Sequence, residues 1–306
     1  MRQAFLDALL GEARRDPRVF LINPDTVGYY CEPFLRELPR QYLNAGIAEQ
    51  NAVGVAAGMA ISGRRPFIFN ILAFNSFRCY EQVRLDVCAM NLSVVLAGLG
   101  AGIDYGAFGP SHQATEDLAL MRALPGMSVW SPADAAMAAA LVAHCLRAGG
   151  PAYLRLHRAE EFQAYPPGAL PDLNHGVALL RPGRDLLLAA TGPMVPRALE
   201  AATALAACSI DAAVVDVFRL KPFPARRFLE LAASPRIVTL EEHFVCGGLG
   251  SAVLEALAEC GVQKSVQRFG LPDRFCRACG DRAYLHAASG LDTATLVDGI
   301  LNGGVQ

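Results

Sequence analysis

Residues 66–96 read PFIFNILAFNSFRCYEQVRLDVCAMNLSVVL. The stretch opens on a short apolar run, Pro66-Phe67-Ile68-Phe69, too brief for a helix and rich in aromatic and branched side chains. It passes into a helical segment, Ser76 to Met90, and closes on a second apolar run, Leu92 to Leu96. Strands that are apolar throughout, separated by helices, are the mark of a parallel sheet covered on both faces.

The alternation extends both ways from there. Upstream, Arg2 to Arg15 reads as an amphipathic helix, Val19 to Ile22 as a buried strand and Ala48 to Ser62 as a helix of small residues. Downstream, helices Asp117 to Ala123 and Ala133 to Arg147 alternate with strands Ser128 to Trp130 and Ala152 to Leu156. The pattern breaks at Ala159 to Asn174, where Pro166-Pro167-Gly168 and Pro171 mark a linker. It then restarts, with strands at Asp185 to Ala190, Ala212 to Val217, Arg236 to Leu240 and Ser265 to Phe269. Helices are expected at Val195 to Cys208, Pro224 to Ala233, Leu249 to Cys260 and Asp292 to Leu301. The expected fold class is α/β: two tandem domains, each a mainly parallel sheet covered by helices, at 1–160 and 177–306 with a linker at 161–176. The 306 residues suit two domains at roughly 150 residues each.

Hydrophobic residues make up 53% and charged residues 18%, which excludes a disordered chain. The longest uncharged apolar runs, Asn91 to Gly102 and Ala135 to Ala143, fall short of the ~18 residues a membrane helix requires. Met1 to Asp7 places an acid where a secretory signal has its apolar stretch. The 27 basic residues nearly balance the 29 acidic ones, with no basic run, so neither nucleic acid nor membrane is the expected partner. A cytoplasmic protein acting on a small molecule is the expectation. The nine cysteines sit largely in apolar segments such as Val87-Cys88-Ala89 and Ala206-Ala207-Cys208, which suits reduced thiols better than disulfides. Cys276 and Cys279 form one close pair without the second pair that a zinc site needs.

Ligands of such sheets bind beyond the carboxyl ends of the strands. Four segments there are unusual, 44–51, 74–80, 98–113 and 239–251, and Arg155 and Arg158 stand at a further strand end. Glu49 heads the small-residue helix, either as a favourable first-turn charge or as a buried, working carboxylate. Phe74, Phe77 and Tyr80, spaced by three, form either a core stripe or a pocket of rings edged by Asn70, Asn75, Ser76 and Arg78. The glycine-rich stretch from Gly98 leads to Gly109-Pro-Ser-His112-Gln113, which places His112 in a loop suited to acid–base or ligand contact. Arg155 and Arg158 flank a strand end, positioned for an anionic group or for surface pairs with Glu160 or Glu161.

These segments, in this order, resemble the pyrimidine-binding and C-terminal domains of the transketolase family of thiamine diphosphate enzymes. Gly46-Ile47-Ala-Glu49-Gln50 resembles the family signature, and Phe74, Phe77 and Tyr80 followed by Gln82-Val-Arg84 its aromatic cofactor pocket. Gly109-Pro-Ser-His112-Gln113, Ser131-Pro-Ala-Asp134, Glu241-Glu-His243 and Gly247-Gly-Leu-Gly250 complete the series. The resemblance implies that Glu49 hydrogen-bonds N1′ of the cofactor's aminopyrimidine, and so promotes loss of the thiazolium-carbon proton. It implies Glu49 and His112 as catalytic residues, and Ile47, Phe74, Phe77 and Tyr80 beside the cofactor. It implies Asp25, Phe108, His112, Arg155 and Arg158 near the substrate.

Two departures qualify this. No Gly-Asp-Gly of the diphosphate-binding half is present; the nearest, Gly280-Asp281-Arg282, lacks the last glycine. The resemblance therefore implies the second subunit of a split enzyme, whose N-terminal partner holds the diphosphate and its Mg²⁺, in an α₂β₂ assembly. Sugar-using members also carry an aspartate four residues before the histidine, where this chain has Phe108. Transfer of a two-carbon ketol or acyl unit is implied. Alternatives are a deoxyxylulose-phosphate-synthase-like carboligase, the beta chain of a 2-oxo acid dehydrogenase, or a non-catalytic scaffold. The intact Glu49, His112 and aromatic trio argue against the last.

Overall fold

The computed structural model describes residues 1–26, 28–158 and 162–303. Helix α1 (Arg2–Arg15) packs Phe5, Leu6, Leu9 and Leu10 inward and leads into β1 (Val19–Asn23). The chain passes through α2 (Glu32–Glu37) and β2 (Tyr42–Asn44) to α3 (Glu49–Ile61) and β3 (Arg65–Ile71). The next helical stretch is irregular: a π-helical turn Phe74–Arg78, α4 (Tyr80–Gln82), and a second π-helical turn Val83–Cys88. Then come β4 (Val95–Leu99), α5 (Asp117–Ala123), β5 (Ser128–Trp130), α6 (Ala135–Ala148) and β6 (Ala152–Leu156). The six strands pair in parallel in the order β5-β6-β4-β3-β1-β2, so one edge of the sheet collects the carboxyl ends of all six.

The second half holds β7 (Val177–Arg181), β8 (Leu186–Ala190), α7 (Val195–Ala207) and β9 (Ala212–Val217). It continues with β10 (Arg219–Lys221), α8 (Ala225–Leu231), β11 (Arg236–Phe244), α9 (Leu249–Glu259) and β12 (Ser265–Leu271). Helices α10 (Arg282–Ala288) and α11 (Thr293–Asn302) close the described chain. Its sheet runs β12-β11-β8-β9-β7, parallel except for β7. Two mainly parallel sheets covered by helices is the α/β architecture expected.

Three findings depart from the pattern reading. First, β10 joins the other domain's sheet, antiparallel to β5 with Arg219 opposite Trp130. Second, β4 begins at Val95 rather than Leu92, because Leu92 N–H still donates to Val87 O and finishes the preceding helical turn. It runs on through Gly98, where a Cβ would stand 2.7 Å from the Leu72 side chain. Third, β11 extends past Leu240 to Phe244, carrying Glu241, Glu242 and His243 fully buried. Cys208, expected inside, caps α7 and is exposed, whereas Cys31, Cys79, Cys88 and Cys145 are buried.

The segment from Phe162 is tied down by two carboxyls, Asp134, which accepts the Ala164 N–H at 3.0 Å, and Asp216. The Tyr165 hydroxyl donates to Asp216 on β9 at 2.7 Å, both groups buried. Burial, with some help from Asp134, pushes the Asp216 carboxyl up to about 8 against the opposing hydrogen bond from Tyr165. Between about 4 and 8 the folded chain thus keeps a proton that the unfolded chain has released. Stability is therefore greatest at the acid end of that window and falls as pH rises through it, by up to about 1.4 kcal/mol per pH unit for one proton. Thermal melts of wild type and Asp216→Asn across pH 4.5–8.5 are expected to show a shallower fall in the variant. Equal slopes would remove Asp216 as the source.

Candidate functional site

The carboxyl edge of the first sheet presents the loops after β1, β2, β3, β4 and β6 side by side. After β1, Asp25 takes a left-handed backbone (φ +64°) and its carboxylate accepts from Asn44 Nδ2 at 2.9 Å. Asn44 Oδ1 in turn accepts the Gly46 N–H, which fixes the turn that leads into α3. Ile47 stands on that turn, 81% exposed. Glu49 follows as the first residue of α3 and is 4% exposed, near the positive end of the helix dipole.

Glu49 is not alone. Arg78 Nη1 donates to its Oε1 at 2.7 Å, and the same guanidinium lies over the Phe74 ring, 4.7 Å from its centroid. Phe74 meets the His112 ring edge-on at 5.2 Å. His112 is stacked against Phe108 at 4.9 Å and 29°, and Tyr105 meets both rings at 6.1 Å. The Arg158 guanidinium sits 5.7 Å over Tyr105. An unbroken line of contacts therefore joins Glu49, Arg78, Phe74, His112, Phe108, Tyr105 and Arg158 across the crevice.

The aromatic trio divides. A π-helical turn widens the helix, so spacing by three no longer keeps side chains on one face. Phe74 turns to the crevice. Phe77 and Tyr80 lean on the core, and the Tyr80 hydroxyl donates to Leu120 O at 3.1 Å. Both readings of the stripe are thus present, in different members.

Arg155 requires a correction. Its side chain is fully buried, with Nε donating to Asp117 Oδ2 at 2.8 Å and Nη2 to Asp117 Oδ1, Ala114 O and Glu242 O. A guanidinium so enclosed ties the two domains together and has no face for a substrate. Arg158 is exposed and keeps its access. The surface pairs with Glu160 and Glu161 lie outside the described residues.

Sequence reasoning took Arg78 as one of several rim groups and passed over Tyr105, Asp104, Arg282 and His286. Nothing in the sequence links Arg78 to Glu49, 29 residues away. A signal for Tyr105 does exist in Gly100, where a Cβ would stand 2.4 Å from the Tyr105 ring.

Chemically, the crevice offers a buried carboxylate, a ring beside it and a histidine a few ångströms further on. Buried amide donors of Asn70 and Gln113, near the end of β3 and beside His112, have no partner in the described structure. Such a set suits a flat heteroaromatic ring with a protonatable nitrogen. It does not suit a metal: among the described residues, no cluster of His, Cys, Asp and Glu could hold one.

Two family models match this chain: Transketolase, pyrimidine binding domain over residues 1–161, and Transketolase, C-terminal domain over residues 175–296. The chain belongs to the transketolase family. It is 36% identical over 300 residues to a 6-deoxy-6-sulfo-D-fructose transketolase subunit of Clostridium sp., covering 97% of this chain and 92% of that one. It is 35% identical to one of the subunits of an apulose-4-phosphate transketolase of Phocaeicola vulgatus, covering 89% and 87%. A 1-deoxy-D-xylulose-5-phosphate synthase of Bordetella parapertussis is 39% identical, but this chain spans only 46% of it. Among solved structures, a split gene transketolase described as an inactive beta4 tetramer superposes with a TM-score of 0.87 at 36% identity, covering 98% and 96%. This transketolase chain thus matches separate subunits nearly end to end and a long single-chain enzyme over about half its length. Family membership implies thiamine diphosphate as cofactor, and the Glu49–Phe74–His112 arrangement is compatible with its aminopyrimidine ring.

Proposed function

We propose that this chain is the C-terminal subunit of a two-component transketolase that moves a two-carbon ketol or acyl unit from a ketose-like donor to an aldehyde-type acceptor. Residues 1–160 are the pyrimidine-binding domain, 161–176 the connection and 177–306 the C-terminal domain. An N-terminal subunit holds the diphosphate and Mg²⁺, and two copies of each close an α₂β₂ assembly by twofold symmetry in the cytoplasm. The observation that carries this reading is the line of contacts from Glu49 through Phe74 to His112.

Thiamine diphosphate, when bound, supplies the carbon nucleophile and the electron sink. The chain's own residues do the rest. Glu49 shares a proton with the pyrimidine nitrogen, work that suits a carboxyl removed from water. Phe74 would stack on the ring, with Phe77 and Tyr80 packed against the core behind that turn and Ile47 exposed at the rim to cover it. Arg78 meanwhile makes the two contacts such a ring would make, to Glu49 and over Phe74. Being half exposed, it exchanges them for water at small cost when the ring arrives. His112 handles protons at the substrate oxygen, with Asp25 and Phe108 beside the donor and Arg158 at its anionic end.

Phe108 supplies the test. Its ring, stacked on His112, stands where sugar-using relatives are expected to present a carboxylate. A donor hydroxyl facing it goes unpaired, at roughly 1–3 kcal/mol or about ten- to a hundredfold in specificity. On the two-subunit enzyme, ketoses lacking that hydroxyl are expected to outperform ordinary ketose phosphates, and Phe108→Asp to reverse the order. Undiminished wild-type use of xylulose 5-phosphate would show that Phe108 does not meet the donor. The 39% identity to the deoxyxylulose phosphate synthase favours a second reading, in which pyruvate is the donor and carbon dioxide is released. Including pyruvate in the same panel decides between them.

A further inference from the structure

The loop that carries Phe108 and His112 lies between β4 and α5 and is pinched together where Gly102 meets Ala114. Its neck is closed by two hydrogen bonds, Gly102 N–H to Ala114 O and Ala114 N–H to Gly102 O, each 2.9 Å. Against this neck stands a side chain from the other domain. Glu242, fully buried on β11, accepts the Ile103 N–H on Oε1 at 2.9 Å. It comes so near that a Cβ on Gly102 (φ +60°) would stand 2.5 Å from the same oxygen. Only glycine fits there, on both counts.

Glu242 is itself held from α10. His286 Nε2 lies 2.6 Å from its Oε2, and Arg282 Nε 3.2 Å from the same oxygen. Burial alone would raise this carboxyl, yet Arg282, His286 and the Ile103 N–H hold it down at about 2. Arg282 extends the brace to the loop, reaching Asp104 Oδ1 at 3.2 Å, while Asp104 Oδ2 accepts the Arg158 N–H at 2.9 Å. From the first domain, Arg155 Nη2 donates to Ala114 O and Glu242 O, gripping both sides of the junction. Turned to the opposite face of β11, Glu241 accepts the N–H groups of Leu249 and Gly250 at the start of α9. Glu242 is thus paired within the C-terminal domain, while Arg282 to Asp104 carries the charge pairing across to the first domain.

We propose that Glu242, backed by Arg282, is a positioning residue for His112 and Phe108. By this device the C-terminal domain sets the geometry of the loop that carries both residues. The proposal rests on the reading that His112 meets the substrate. Its physical basis is that a closed loop pinned at the neck moves as one body, and a displacement near 1 Å at a reacting group costs on the order of 10²-fold in rate.

The test uses Glu242→Gln and Arg282→Gln, each alone and combined with His112→Ala, on the two-subunit enzyme and on the isolated chain. Arg282 is partly exposed, so its variant serves if the buried Glu242 change fails to fold. The single variants are expected to lose about 10–100-fold in kcat/KM, mostly in kcat, and Arg282→Lys to recover most of the loss. In the His112→Ala background the same changes are expected to cost less than about threefold, because the group they position is gone. On the isolated chain, amide hydrogen exchange over residues 102–114 is expected to quicken while β3 stays protected. Unchanged exchange in that loop, or equal losses with and without His112, overturns the proposal. Quickened exchange in an enzyme indifferent to His112→Ala would keep the clamp but sink the functional reading on which its catalytic meaning rests.

Discussion

Replacing Glu49 by Gln in the reconstituted two-subunit enzyme is expected to slow exchange of the thiazolium-carbon proton of thiamine diphosphate by about 10²–10⁴-fold, the range of a positioned acid–base group. Glutamine keeps the shape and a hydrogen-bonding oxygen but cannot take up or release the proton. Assembly should survive. The change removes an ion pair whose other member, Arg78, is 49% exposed, and such a pair contributes at most about 1 kcal/mol. Proton exchange followed by NMR reads this step without turnover. An exchange rate within a few-fold of wild type would leave Glu49 as a first-turn charge and nothing more.

The larger effect concerns the chain on its own. No turnover above background is expected without a diphosphate-binding subunit, with activity appearing on its addition in proportion to complex formed. The reason is electrostatic. A diphosphate is held by a hard cation and its carboxylate or carbonyl ligands, and the described residues offer no acidic cluster for that cation. Arg78 also occupies Glu49 in the isolated chain, so a pyrimidine ring must displace it without help from the diphosphate end. Calorimetric titration of thiamine diphosphate with Mg²⁺ into the isolated chain should show weak binding, tightening once the second subunit is present. Tight, magnesium-dependent binding by the isolated chain would overturn the two-component reading.

What the sequence made legible follows from where each element gets its stability. The central strands read clearly because burial on both faces demands unbroken apolar runs, as in Val19–Asn23 or Leu186–Ala190. Short edge strands such as Tyr42–Asn44 and Arg219–Lys221 did not, since three residues of mixed polarity become a strand only through the neighbour they pair with. The end of β11 was hidden for a related reason. Glu241, Glu242 and His243 have the composition of a surface loop, and are buried only because each finds a partner: Glu241 at the start of α9, Glu242 on His286 and His243 on the Ala119 N–H. At the site, Glu49 was legible from its place at a helix start, whereas its pairing with Arg78 was not. Arg155 sits at the expected strand end, but the direction of its side chain is set by Asp117 on a neighbouring helix.

The placement of β10 bears on how the molecule can be divided. Lys221 on that strand donates from Nζ to the carbonyls of Arg122 and Leu124, which closes the free end of α5. Ser131 N–H donates to Phe218 O just before it. A polypeptide ended in the proline-rich connection would keep all six parallel strands of the first sheet and still lose the cover along β5. An uncovered strand edge next to Trp130 invites pairing with a second molecule. Anyone wishing to study the cofactor half by itself should expect self-association, and should blunt that edge with a charged residue. The linker that looks like a natural cutting point in the sequence lies, for the folded sheet, about fifty residues before the strand that covers its edge.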